Sequence, residues 1–435
     1  MTTAEGTSVG GRATGGVRDP EPWDRRRDRR AALLLFLIVW GVYLGTATYT
    51  VSQINDTRAT AQSAWSLGTR GTLALPQEWE GTIDWEKEGR DGQLYTNRFP
   101  GPILWAAPFY TVGESLFPRE TPGHPHLLNY APAGVAAATA AALAVLASFL
   151  LFRRLADRRL AVIAAGVLAF GTGVWSVSAD AMWNHGLTHL TLSLGVLAAI
   201  DGRHVRSGAA FAAAVITRPQ VAVFAAVIGL WKGVATRHLR PIVVIGLVSA
   251  LGALAMVIYT RVLFGLSLPV AGHSPDRVTD VATVPFLVFV ERVWLTFVDP
   301  VRGVLFYVPA LLVLLPFARR GWRVSPWWVK ASAVAGIMYM VVQLRSNTYH
   351  GGAQFFGSRL TLEPLVLAAP LFLRTWQAFL SRQRVLRWLL GVLLAVGIAL
   401  HALGATVWSS PFFDSEAVWE AHFDEICADP GMVGC

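Results

Sequence analysis

Apolar residues occur in long blocks, and polar residues collect between them. Blocks at 31–51, 127–152, 160–178, 186–200, 241–263, 302–318, 327–344, 361–378 and 388–408 approach the roughly 20 residues a helix needs to cross a hydrocarbon core about 30 Å thick. Each predicts a crossing. A further stretch, 207–231, is apolar but broken at Thr217-Arg218-Pro219-Gln220 and flanked by bases. Proline lacks a donor and an arginine is costly in hydrocarbon, so the break predicts two short helices, in and back out, whose turn faces protein or water. The expected fold is all-α, a polytopic transmembrane helix bundle of about 11 helices.

Composition sharpens this reading. Of 435 residues, 54% are apolar and 15% charged, with mean hydropathy +0.46. Soluble domains carry roughly 25% charged residues, which excludes a soluble globular enzyme. The surplus of 37 Lys and Arg over 28 Asp and Glu is first a topology signal in such a chain, and no nucleic-acid partner is expected. Placing Arg25-Arg26-Arg27-Asp28-Arg29-Arg30 in the cytoplasm assigns every later loop a side. Most of the bases then fall inside and few of the acids do.

The expected organisation is a disordered cytoplasmic N-terminus over 1–30, a membrane domain over 31–408 and an extracytoplasmic tail over 409–435, in a multi-pass protein of the cell membrane. The first apolar run lacks a small-residue cleavage site and reads as an uncleaved anchor. A long outer loop, 52–126, and a second, 264–301, hold most of the remaining acids. The stretch from Ile103 to Phe117, broken by Pro108, is expected to lie along the outer surface or to dip in and return, because two crossings there would put the Arg153 to Arg159 cluster outside. Cys427 and Cys435 have neither zinc-site spacing nor the number for a disulfide framework, and no metal or other cofactor is expected.

Asp, Glu, His and Lys are missing from the middles of the blocks, whereas an ion-coupled transporter places ionisable groups there. His189, His401 and Glu363 lie toward outer ends. Polar chemistry gathers at the outer mouth in four clusters. In Gln53-Ile54-Asn55-Asp56-Thr57-Arg58, Asp56 is either a helix cap or a general base beside a lipid head group, with Arg58 nearby. Tyr95-Thr96-Asn97-Arg98-Phe99-Pro100-Gly101-Pro102 is either a turn or a substrate-facing segment bearing Arg98. In the Trp175 to His185 turn, Asp180 and His185 bind sugar hydroxyls or orient a base, unless they only cap helix ends. The run from Ser346 to Leu360, with His350, Gly351, Gly352 and Arg359, combines close-approach glycines, a helix start and a guanidinium fork, the pattern of an anion site. Its bland reading is a Gly-rich turn with a snorkelling arginine.

The order of these clusters resembles the GT-C superfamily of polytopic glycosyltransferases, which includes protein O-mannosyltransferases and lipid A aminoarabinose transferases. The matching features are Asp56 after the first span, Phe99 to Pro102 on the outer surface, the Asp180 to His185 turn, the Thr217-Arg218-Pro219 break and the late glycine-rich motif ending at Arg359. The resemblance covers 31–408. It implies inverting transfer of a sugar from a polyprenyl-phosphate carrier to a glycan, lipid or protein acceptor on the outer face. Asp56 would be the base and Arg359 the phosphate ligand, helped by Arg218 or Arg58. Many relatives carry paired acids in the first loop, where this chain has Asn55 before Asp56, which argues against a metal there.

The chemistry is consistent on its own terms. A sugar phosphate leaves as a stable anion, so one carboxylate and a cationic clamp suffice where a glycosidase needs two carboxylates. The competing expectation is a transporter or flippase of a lipid-linked or small polar substrate.

Overall fold

Helices form along most of the apolar blocks, but the 302–318 block, expected as one crossing, is broken into a single turn at Val304–Tyr307 and a helix that begins at Leu311. The computed structural model describes residues 22–49, 55–83, 85–116, 128–273, 283–351 and 355–406. Expectations for Gln53, Gly352, Cys427, Cys435 and both termini fall outside the described residues. The described residues are 75% helical with almost no strand.

The helices are α1 (Arg25–Thr46), α2 (Asn55–Trp65), α3 (Pro100–Leu116), α4 (Ala131–Arg153), α5 (Arg158–Phe170), α6 (Asn184–Ile200), α7 (His204–Thr217), α8 (Ala222–Thr236) and α9 (Arg240–Phe264). There follow α10 (Phe286–Val298), a single turn at Val304–Tyr307, α11 (Leu311–Arg323), α12 (Trp327–Ser346), α13 (Leu362–Ala378) and α14 (Arg384–Thr406). Among the described residues six stretches, namely α1, α4, Pro219–Thr236, α9, α12 and α14, are long and apolar enough to cross a membrane.

Side-chain size decides which helix is central. α4 is largely alanine, and its buried residues face α1, α5 and α6 on several sides; small side chains let helix backbones approach closely without hydrophobic drive from water. In contrast α9 exposes Val243, Leu247, Leu251, Leu254, Ile258 and Val262, the apolar belt a bilayer would cover. Basic residues gather at one end of the bundle. There Asp24 caps α1 by accepting from the Arg26 and Arg27 N–H groups, and buried Asp28 accepts from Arg153 at 2.8 Å.

The opposite end carries a small cap. A two-stranded antiparallel hairpin, β1 (Glu86–Glu88) with β2 (Leu94–Thr96), sits beside α2 and α3 over a second core. Trp65 stacks on Trp79 at 5.1 Å there, with Ile103, Tyr110 and Tyr130 fully buried. α3 is a continuous helix despite Pro108, and it packs on α2, α4 and α7. Its start touches the break after α7. A Cβ on Gly101 would meet Thr217 Cα at 2.7 Å, so only glycine lets the two backbones come this close.

Candidate functional site

Asp56 lies in the first turn of α2. Its Oδ1 accepts from Arg98 Nη1 at 2.7 Å, and its Oδ2 from Arg359 Nη1 at 3.1 Å. Both oxygens are therefore occupied by guanidinium groups that arrive from distant parts of the chain. Burial acts to raise the Asp56 carboxyl, but the charges of Arg98 and Arg359 outweigh it and hold the group down at about 2. The side chain keeps 24% of its surface exposed, so the cluster opens to solvent.

Arg98 lies two residues past the end of β2. Its Nη2 donates to Asn97 Oδ1 at 2.8 Å, and its carbonyl accepts from the Tyr259 hydroxyl of α9 at 3.1 Å. Its guanidinium lies 5.0 Å from the Trp85 ring centre. Trp85 is exposed and has φ 54°, a left-handed backbone that a bulky side chain rarely adopts. Asn97 Nδ2 reaches His273 Nδ1 at 3.4 Å.

Arg359 sits in the turn before α13, after Gly357 with φ +83°. Its guanidinium stacks against Trp183 at 4.5 Å and Phe355 at 4.7 Å, while its Nε is buried with no hydrogen-bond partner among the described residues. Arg302 holds this turn from behind. It donates to the Phe355 carbonyl and, at 3.3 Å, to the Gly357 carbonyl, and it covers the Phe355 ring at 3.9 Å. Asp299 in turn accepts from the Arg302 backbone N–H at 3.1 Å.

A second ionic group lies deeper. Glu363 is four residues beyond Arg359, and its Oε1 accepts from Arg218 Nη1 at 3.0 Å and faces His185 Nδ1 at 2.7 Å. The Tyr339 hydroxyl reaches Glu363 Oε2 at 3.4 Å. Arg218 can be this deep because α7 is short, 14 residues or about 21 Å of helix, and ends at the residue before it. Glu363 and His185 are nearly fully buried.

The remaining expected site residues stand apart. The Asp180 carboxylate accepts from the Thr48 hydroxyl at 2.7 Å and its carbonyl from the Thr48 N–H at 2.9 Å, tying the end of α1 to the turn before α6. Burial raises its carboxyl to about 7 against those bonds. Arg58 lies two residues past Asp56 on α2, about 200° around the helix. His350 packs edge-on to Tyr349 at 5.4 Å. Asn97, Arg302, Tyr339 and Glu363 join the clusters without having been assigned from sequence. Of these, Glu363 had a signal, since it is an acid at the outer end of its apolar block, four residues past Arg359. Among the described residues no group of three His, Cys, Asp or Glu could hold a metal ion.

No protein-family model matches the chain, and no curated protein shows significant similarity to it. Geometry therefore carries the chemistry. Two guanidinium groups and one carboxylate in an open, aromatic-walled site can bind an anion by exchanging the carboxylate for it. The carboxylate can also accept a proton once a guanidinium has moved away.

Proposed function

We propose that the protein is a GT-C-type membrane glycosyltransferase that moves a sugar from a polyprenyl-phosphate carrier to a hydroxyl of an extracytoplasmic acceptor, with inversion. In this reading the bundle crosses the cell membrane about 11 times, its basic end faces the cytoplasm, and the Asp56 cluster opens outward. The observation that carries it is the single carboxylate of Asp56 held between Arg98 and Arg359.

The ion pairs impose an order of events. Clasped by two cations, Asp56 is ionised but too weak a base to take a proton from an alcohol. A donor phosphate competes for the same guanidinium groups, and Arg359 forks onto it bidentately. Losing that partner makes Asp56 more basic at the moment the donor is seated. The acceptor hydroxyl then gives its proton to Asp56 while its oxygen bonds to the sugar C1. The C1–O bond to phosphate breaks, and its electron pair leaves with the polyprenyl phosphate, whose added charge the arginines stabilise. No metal or other cofactor enters these steps.

Membranes containing the protein, incubated with radiolabelled polyprenyl-phosphate sugars, test the reading. Labelled acceptor that disappears in Asp56→Asn at equal protein level supports it, and absence of transfer from every donor sinks it. One observation favours the carrier reading: the buried Glu363, Arg218 and His185 group beneath the cleft, since buried ionisable groups mark ion paths in transporters. Vesicle uptake without glycosyl transfer would select that reading.

A further inference from the structure

α10 has 13 residues, about 20 Å of helix and too little to span a core of about 30 Å. It nevertheless exposes Phe286, Leu287, Val290, Trp294 and Phe297. At about 100° per residue these five fall within one arc roughly 100° wide. Leu287 is 78%, Phe286 72% and Trp294 64% exposed, so the arc is a continuous apolar surface rather than scattered side chains.

The opposite face is fastened to the bundle. Arg292 Nη1 donates to the carbonyls of Leu344 at 3.0 Å and Asn347 at 3.1 Å, at the end of α12. From α12, Arg345 donates to the Val284 carbonyl at 3.1 Å and lies 5.7 Å from the Phe289 ring centre. Thr296 is buried on the same side. Within two turns of this anchor α12 exposes Ile337, Met338 and Val341, part of the belt a bilayer covers. The stripe on α10 continues that belt at the end of the bundle where the Asp56 cluster opens.

We propose that α10 lies in the plane of the membrane, with its apolar stripe sunk into the acyl chains of the leaflet on the side of the cleft. An amphipathic helix held this way buries its apolar face about 5–10 Å into the boundary between head groups and chains. Its C-terminal end leads straight to Asp299 and Arg302, which hold the turn bearing Arg359. Embedding α10 therefore sets Arg359 at head-group depth. The benefit to a lipid-phosphate substrate rests on the proposed function; the embedding itself does not.

Environment-sensitive labels in lipid nanodiscs test the placement. In a background with Cys427 and Cys435 changed to Ser, bimane is attached at Leu287→Cys, Val290→Cys or Trp294→Cys. Leu251→Cys on α9 is the lipid control and Lys87→Cys on β1 the aqueous one. The α10 labels are expected to be quenched by brominated phosphatidylcholine as fully as the lipid control, more by bromines near the carbonyl than near the chain end, and to resist iodide. Iodide quenching equal to that at Lys87→Cys would put the stripe in water and overturn the proposal. So would quenching by neither agent, which would mean that protein, from this chain or a second copy, covers the stripe. Reading three positions keeps the result independent of any one substitution, and no glycosyl transfer is needed to obtain it.

Discussion

Asp56 Oδ2 and Arg359 Nη1 lie 3.1 Å apart, although 303 positions separate them along the chain. Because Arg98 takes the other oxygen, the carboxylate and any bound anion compete for the same cations. Competition of this kind is reciprocal: whatever weakens one partner's hold strengthens the other's.

Asp56→Asn is therefore expected to lower transfer by roughly 10²–10⁴-fold, the range for a lost general base, and at the same time to tighten binding of polyprenyl phosphate itself. Titration followed by tryptophan fluorescence reads the second effect, since Trp183 stacks on Arg359 and Trp85 on Arg98. Unchanged affinity would show that the ion pairs do not oppose ligand binding. Failure of the lipid phosphate to bind the unaltered protein would sink the functional reading instead.

Arg359→Lys keeps a charge but loses the planar fork and its stacking on Trp183 and Phe355. Donor KM should rise about tenfold or more, the loss of one charge-assisted hydrogen bond, with acceptor KM unchanged. Removing the charge altogether in Arg359→Ala relieves part of what holds Asp56 down at about 2. The acid limb of any residual activity should then move to higher pH, because the base must be deprotonated to work. A limb that stays in place would detach Arg359 from Asp56.

Glu363→Ala leaves Arg218 and His185 buried without their shared partner, and breaking a buried pair from one side costs about 3–5 kcal/mol. Glu363→Gln, which keeps the acceptor oxygen, should cost less. Thermal unfolding in detergent ranks the two. Equal stability of all three proteins would mean that the network contributes nothing to holding α6, α13 and the break after α7 together.

Most helices were legible because the apolar blocks are long and nearly free of charge, and the break at Thr217 to Gln220 because proline and arginine together forbid a straight crossing. α10 was read as loop: its apolar residues are interrupted by Glu291-Arg292 and are too few for a crossing. Only the structure reveals that Arg292 turns inward to α12. The side of the bundle that would carry Asp56, Arg98 and Arg359 followed from charge and spacing. Their mutual contact did not, since nothing local in the sequence fixes which cation a carboxylate meets. Likewise Arg218 and Glu363 are 145 positions apart; the sequence offered Arg218 as a phosphate ligand and placed Glu363 only toward the outer end of its helix.

Asp180 offers a pH test. Its carboxyl sits at about 7 when folded against an ordinary 3.8, so between those values the folded protein keeps a proton that the unfolded chain has released. Stability should fall as pH rises across that window and level off above about 7. Asp180→Asn retains an oxygen for Thr48 and has no proton to lose. Thermal unfolding should show the slope abolished, with the variant on the order of 1–2 kcal/mol more stable than the unaltered protein at pH 8, discounted for residual solvent contact. A variant that loses stability at pH 8 would mean that Asp180 is charged in the folded state.

Arg359 stands in the turn before α13, late in the order of synthesis. A ribosome releasing this chain into a membrane has delivered Asp56 and Arg98 long before their third partner emerges. Nascent or prematurely terminated chains ending at α12 would insert most of their helices yet hold the carboxylate with a single cation. Completeness of the polypeptide is thereby built into competence, and two fragments divided between α9 and α10 should regain the cluster only when made together.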